Sequence, residues 1–250
     1  MKRFILLVWV VIACSSSKKE NKEEFPTATA TPEVAVPSLP ENLKAEGWKL
    51  LFDGRSLEGW RTFKNQKNNS WEAKDGMLHC KSMDDRAKSD GNQLIDLITE
   101  EQYKDFELAF DWRITADANS GVMYRVTEEF DEPFQSGPEY QLLDDAGFAS
   151  QDPNHFTGAV FGMYVTAAKK MNPVGSWNSS KIVVNKNHVE HWLNGQKIVE
   201  YELNSPDWKK RKEAGSWKDV KGYGQAAQGH IDFQDRGSEV WFKNVMIQSL

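Results

Sequence analysis

The chain has 250 residues, with 31 Lys and Arg against 37 Asp and Glu, a formal charge of −6 and two cysteines. An acidic chain without clustered cations cannot neutralise a run of phosphates, which argues against nucleic acid as a partner. If Cys14 is used elsewhere, Cys80 is the only thiol left, which excludes an internal disulfide.

Lys2 and Arg3 precede an unbroken apolar run from Phe4 to Ala13. This is the charged start and short apolar middle of a secretory leader, residues 1–13. Its length of about ten apolar residues is half of the roughly 20 that span a bilayer. Val11-Ile12-Ala13-Cys14 resembles a bacterial lipobox, in which the cysteine is lipidated and becomes the first mature residue. Cleavage there removes Lys2 and Arg3 and moves the formal charge from −6 to −8. Residues 14–46 are rich in Ser, Lys, Glu, Thr and Pro and bury too little apolar surface to order themselves. They are expected to be a disordered, lipid-anchored tether. Residues 47–250 are enough for one sandwich-type core and too few for two domains.

Period-two alternation dominates from there on. Cys80 lies in a strand-like run, Gly76–Ser82, and reads as a small buried residue. Thr99–Phe106 could close one capped helical turn. In residues 106–114, Phe106, Leu108, Phe110, Trp112 and Ile114 alternate with Glu107, Ala109, Asp111 and Arg113. Residues 121–126, 139–143, 159–165, 181–185, 188–193, 197–203, 229–234 and 239–247 also read as strands. Asn194-Gly195 is a two-residue hairpin turn of the kind that needs positive φ. Residues 205–215 read as a short helix with Ser205 as N-cap, Pro206 in the first turn and Gly215 at the end. With residues 216–228 it makes a long late insertion, a common form for binding loops and lids. Many short strands with aromatics on one face predict an all-β fold of two packed antiparallel sheets.

Seven blocks carry a resemblance: residues 51–60, 119–125, 138–144, 157–164, 175–184, 189–203 and 229–247. In this order they are similar to the bacterial 3-keto-disaccharide hydrolase family over about 200 residues. That resemblance implies a concanavalin A-like jelly-roll sandwich and an enzyme that cleaves 3-keto-disaccharides or 3-keto-glycosides. Two blocks depart from the family pattern: its usual Gln-Asp-His-Gly reads Gln234-Asp235-Arg236-Gly237, and its usual Phe-Arg-Asn reads Phe242-Lys243-Asn244.

A conventional retaining glycosidase needs two carboxylates about 5–5.5 Å apart. Residues 139–143 offer one carboxylate and then an amide. A 3-keto sugar asks for less, because its carbonyl acidifies the proton at C2. One base removes that proton, a cationic clamp holds the C3 oxygen, a donor protonates the leaving oxygen, and water then adds back. If Leu142, Phe110 and Val122 face the core, their alternating neighbours face away from it, and register decides this. Glu139 is the expected base, Arg125 the clamp and His191 the proton donor, with Asp111 as a second acid. Asn119, Gln141, Trp177, Asn178 and Gln234 are expected to bind sugar by hydroxyl hydrogen bonds and ring stacking. No cofactor is expected, and no zinc, since His155 has no second ligand at the right spacing. Asp144, Asp145 and Asp152 are compatible with a structural calcium ion. The expected partners are a carbohydrate and, through the anchor, a membrane. Ser15 after Cys14 fits the periplasmic side of an outer membrane, within the bacterial cell envelope. The competing readings are a non-catalytic carbohydrate-binding lipoprotein and a module that binds a protein partner.

Overall fold

The computed structural model describes residues 37–86 and 93–250; the leader, Cys14 and residues 15–36 of the expected tether lie outside the described residues. Thirteen strands run in chain order: β1 (Trp48–Leu50), β2 (Trp60–Thr62), β3 (Trp71–Lys74), β4 (Met77–Cys80), β5 (Leu97–Thr99), β6 (Phe106–Ile114), β7 (Asn119–Val126), β8 (Glu139–Leu143), β9 (Asn178–Asn185), β10 (His188–Leu193), β11 (Gln196–Glu202), β12 (His230–Phe233) and β13 (Val240–Ser249). Two short helices accompany them, α1 (Glu41–Ala45) and α2 (Pro206–Ala214). An eight-stranded antiparallel sheet has the order β11-β10-β9-β6-β13-β4-β3, with β1 also on β13. A five-stranded antiparallel sheet has the order β2-β5-β12-β7-β8. This is the all-β sandwich of two antiparallel sheets that the alternation predicts.

The core lies between the sheets because the apolar residues of each strand share one parity. Strand β6 alternates buried and half-buried from Phe106 to Ile114 without a break. Phe110 of β6 and Phe242 of β13 meet Phe233 of β12 and Tyr140 of β8 from the opposite sheet. Phe233 and Phe242 stack with centroids 4.3 Å apart, and Phe110 and Tyr140 meet edge-on at 6.0 Å. Such pairs contribute about 0.5–1.5 kcal/mol beyond their buried area. Cys80 is buried in this core, as expected, and burial pushes its thiol pKa well up.

The local turn chemistry holds. Asn194 and Gly195 have φ of 47° and 80°, the mirror-image turn between β10 and β11. Ser205 caps α2 by accepting the Trp208 N–H at 3.1 Å. A run of parallel rings, Tyr164, Tyr201, Trp208, Tyr223 and Trp217, ties the late insertion to β11 and the 157–165 segment. The insertion is therefore docked as a buttress.

Three expectations fail locally. Residues 99–106 form no helix, because Thr99 ends β5 and its hydroxyl donates to the Glu101 carbonyl. Residues 159–165 form turns with isolated bridges, because Gly162 sits at φ 69° and the chain reverses there. Residues 37–46, expected in the tether, are packed: Leu39 is buried and α1 leads directly into β1.

One buried ion pair holds the turn after β12. Arg86 and Asp235 are both almost fully buried and meet at 2.5 Å. Arg86 also donates to the carbonyls of Lys81 and Gln93, and Asp235 accepts the N–H groups of Ile95 and Gly237. Removing one partner of such a pair leaves an uncompensated buried charge. Arg86→Ala is expected to lose about 3–5 kcal/mol of unfolding free energy in urea titrations, whereas exposed Arg55→Ala leaves it unchanged within about 0.5 kcal/mol.

Candidate active site

The outer face of the five-stranded sheet carries the candidate functional groups. Cα partners across the ladders place Glu139, Met123, Asp232, Ile98 and Arg61 in one row. Paired residues share a face, so all five point away from the sandwich core. The next row holds Gln141 opposite Gly121, then Gln234, whose N–H donates to the Gly121 carbonyl. Asp96, just before β5, joins this end by accepting the Asp235 N–H at 2.7 Å.

Gly121 makes room at the centre. A Cβ there would lie 2.1 Å from Glu139 Oε1 and 2.8 Å from its Cδ. The Glu139 side chain thus leans across its neighbouring strand into space that any other residue would fill. Two strand spacings separate the backbones of Glu139 and Asp232, about 10 Å, and the lean shortens that gap at the carboxyl end.

Buried Glu139 and Asp232 and half-buried Asp96 are close enough to feel one another. Burial raises the Glu139 pKa to about 8, opposed by the Arg236 charge and reinforced by Asp96. Burial raises Asp96 to about 7, against the hydrogen bond from the Asp235 N–H. Asp232 is pushed well up by burial and then by the Asp96 and Glu139 charges. Both of its carboxyl oxygens are buried without a partner. Arg236 is exposed, and its guanidinium opposes all three shifts. The cluster is a proton store near neutrality with one solvent-facing cation beside it.

Two clefts open on this face. One of about 370 Å³ is lined by Phe63, Asp96, Phe134, Gln234 and Arg236 among others. Its wall is the 127–136 loop, anchored by the two-pronged Arg61–Glu128 pair at 2.7 Å. A second of about 190 Å³ is lined by Asn119, Gln141, Phe148, His155 and Phe161 among others. The side-chain oxygens of Gln141 and Gln234 are buried and unpartnered. Each is a ready acceptor for a hydroxyl group.

The expected site residues divide sharply. Glu139, Gln141, Asn119 and Gln234 share the face, and Gln141 donates to Asn119 Oδ1 at 2.9 Å. Arg125 does not join them. A bulge between Met123 and Val126 gives it φ 56° and turns it off the sheet. Its guanidinium donates to the carbonyls of Lys104 and Lys186 and lies 3.6 Å from Asp105. His191 is on the inner side of β10, wholly buried between the sheets. Its Nδ1–H donates to the Gly158 carbonyl, Nε2 accepts from Tyr124, and burial lowers its pKa to about 4. Asp111 is on the outside of the other sheet, accepting from Ser179 and Asn244. Trp177 lies there too, under Lys243 and Arg113. Asn178 is buried, accepting from the Asn172 N–H and the Asn194 amide. Asp144, Asp145 and Asp152 accept from backbone N–H groups, and Asp145 also pairs with Lys169.

Asp96, Asp232 and Arg236 were missed as site residues. The alternation of residues 229–234 puts Asp232 on the face of Gln234, which was the available signal. Arg236 stood out only as the residue replacing the family's histidine.

Comparison with known proteins gives the family of the chain. The model of the 3-keto-alpha-glucoside-1,2-lyase-like domain matches residues 47–248. A 3-keto-disaccharide hydrolase from Bacteroides thetaiotaomicron is 28% identical over 98% of this chain and 96% of its own length. A crystal structure from Parabacteroides distasonis, described as a candidate glycosyl hydrolase, is 37% identical with a TM-score of 0.78, covering 86% of this chain and all of that one. A second candidate glycosyl hydrolase from the same organism is 25% identical with a TM-score of 0.64, over 81% of this chain and 99% of that one. The chain belongs to the 3-keto-alpha-glucoside-1,2-lyase-like domain family.

Proposed function

We propose that this glycoside hydrolase cleaves 3-keto-disaccharides or 3-keto-glycosides by elimination and hydration. The observation that carries the reading is Glu139, buried over Gly121 with its pKa raised to about 8, within electrostatic reach of the exposed Arg236. An ordinary carboxylate is a weak base toward a carbon acid; one with a pKa near 8 is stronger and still ionises near neutral pH. Ionised Glu139 takes the C2 proton, and the C2–H electrons move toward the C3 oxygen. Arg236, in the position first expected of Arg125, stabilises the enolate that forms. The C1–O1 bond then breaks, leaving a C1=C2 double bond conjugated to the ketone. The proton now on Glu139 goes to the departing oxygen, a role first expected of His191. Water adds across C1=C2, with OH at C1 and H at C2, and the net change is hydrolysis. Gln141 and Gln234 accept hydroxyl protons on either side. Asp232 remains protonated and keeps the local charge low enough for Glu139 to work.

A non-catalytic sugar binder does not need three acids with raised pKa values on one face. Each raises the cost of folding at high pH, whereas hydroxyl recognition is served by amides alone.

The leader and Cys14 support a further part of the reading, a lipid-anchored enzyme at the cell envelope with its domain outside the cytoplasm. No helix among the described residues is long and apolar enough to cross a membrane. Metabolic labelling with palmitate should mark the native chain, and Cys14→Ser should abolish the label and release the protein from the membrane fraction. An unlabelled native chain would remove the anchor from the reading.

With a 3-keto-disaccharide in D2O, the released 3-keto sugar should carry deuterium at C2, and substrate deuterated at C2 should react more slowly. Direct displacement at C1 would leave the C2 hydrogen in place and overturn the elimination. Glu139→Gln should abolish turnover. It should also gain stability relative to the native chain as pH rises toward 9. A carboxyl group with a raised folded pKa stabilises the fold fully below its unfolded pKa of about 4.3 and loses that contribution as pH rises through about 8. Arg236→Gln should lower kcat roughly 10²–10³-fold. The acidic limb of its pH profile should move to higher pH, since the guanidinium that held the Glu139 pKa down is gone.

A further inference from the structure

The larger cleft accounts for the oxidised ring, since Arg236, Asp96 and Gln234 line it and the C3 oxygen must reach a guanidinium. The second cleft is not used by that chemistry. It nevertheless stands beside the first on the same sheet face and shares no lining residue with it. Gln234 opens one and Gln141 the other, and both flank Gly121 in the same row. Glu139, leaning over Gly121, thus lies between the two glutamines that open onto the two hollows.

The walls of the second hollow have the chemistry of a sugar subsite. Phe161 carries His155 stacked on it at 4.4 Å and 15°, a two-ring wall for the C–H face of a pyranose. Phe148 adds a third apolar surface. Gln141 presents a buried, unpartnered oxygen to a hydroxyl, and Asn119 stands beside it, held by the Gln141 amide. A few polar groups among aromatic walls is the usual composition of a small-molecule site. The wall is also fixed in place. The Phe161 carbonyl accepts the Trp217 indole N–H at 2.8 Å, so the stacked rings of the late insertion brace it from behind.

We infer that the hollow lined by Asn119, Gln141, His155 and Phe161 holds the departing sugar, with the scissile bond over Gly121 and Glu139. This rests on the hydrolase reading and extends it from the oxidised ring to the second one. It assigns the substrate class as a glycoside whose leaving group is itself a ring, in preference to one with a small alkyl leaving group.

The test compares two substrates, a 3-keto-disaccharide and the corresponding methyl 3-keto-glucoside, in the native chain and in Phe161→Ala and His155→Ala. The native chain should prefer the disaccharide. Each variant should lower kcat/KM for the disaccharide roughly tenfold, mainly through KM, the loss of one ring contact of moderate strength. Neither should change kcat/KM for the methyl glycoside. His155 is half-exposed, so its variant serves as the control if Phe161→Ala fails to fold. If both substrates fall together, or neither falls, the departing sugar sits elsewhere and this assignment is wrong while the hydrolase reading stands. If the native chain turns over neither substrate, the hydrolase reading itself fails and the subsite falls with it.

Discussion

Glu139 occupies volume that belongs, on a regular strand, to the side chain of residue 121. This single accommodation organises the rest of the site. It draws a carboxyl group off its own strand toward the two aspartates across the sheet, between Gln141 and Gln234. Three acids in a largely buried patch cannot all ionise, because each charge would be stripped of water and repelled by the others. The outcome is that all three carboxyl groups are pushed up from the ordinary carboxylate range, Glu139 to about 8 and Asp96 to about 7.

The acids are held by structure that is itself costly to disturb. The turn carrying Gln234, Asp235 and Arg236 is pinned by the buried Arg86–Asp235 pair and by the Asp235 N–H on Asp96. The Asp235 carboxyl group faces the Arg86 guanidinium and accepts the Ile95 and Gly237 N–H groups. Arg236, next in the chain, is exposed, so one turn delivers an anchored acid inward and a cation outward. The sandwich supplies the reserve for this arrangement: the aromatic contacts between Phe110, Phe233, Phe242 and Tyr140 lie directly beneath the strands that expose the site.

Strand parity made part of this legible. Alternation in residues 139–143 and 121–126 placed Glu139, Gln141 and Met123 on the face away from Leu142 and Val122, and the structure has them there. The same rule applied one residue too far put Arg125 with them. A bulge inserts an extra residue on β7, and beyond it every side chain changes sides, as Val126 shows by packing with Phe63 and Met123 on the outer face. No residue in that run advertises the bulge, since the left-handed position is taken by an arginine and not by a glycine or asparagine. His191, Asp111 and Trp177 failed for a different reason. Alternation assigns a face within a strand, but it does not say which of two sheets the strand enters. β10 and β6 lie in the eight-stranded sheet, whose inner side is core and whose outer side is backed away from the site.

Asp232 shows where composition misleads more than pattern. A carboxylate between Ile231 and Phe233 looks like the solvated half of an alternating strand, yet it is wholly buried, because the outer face of this sheet has its own cover. Phe63, Phe134 and the 127–136 loop close over the row of Met123, Ile98 and Asp232, so the second side of the sheet becomes a small interior. Long-range pairing of Arg61 with Glu128 fixes that cover, and nothing near Asp232 in sequence announces it. The same cover supplies the burial that raises the pKa values of the acids. An open face would hydrate them and return their pKa values to the ordinary range, so the loop that hides Asp232 also tunes Glu139.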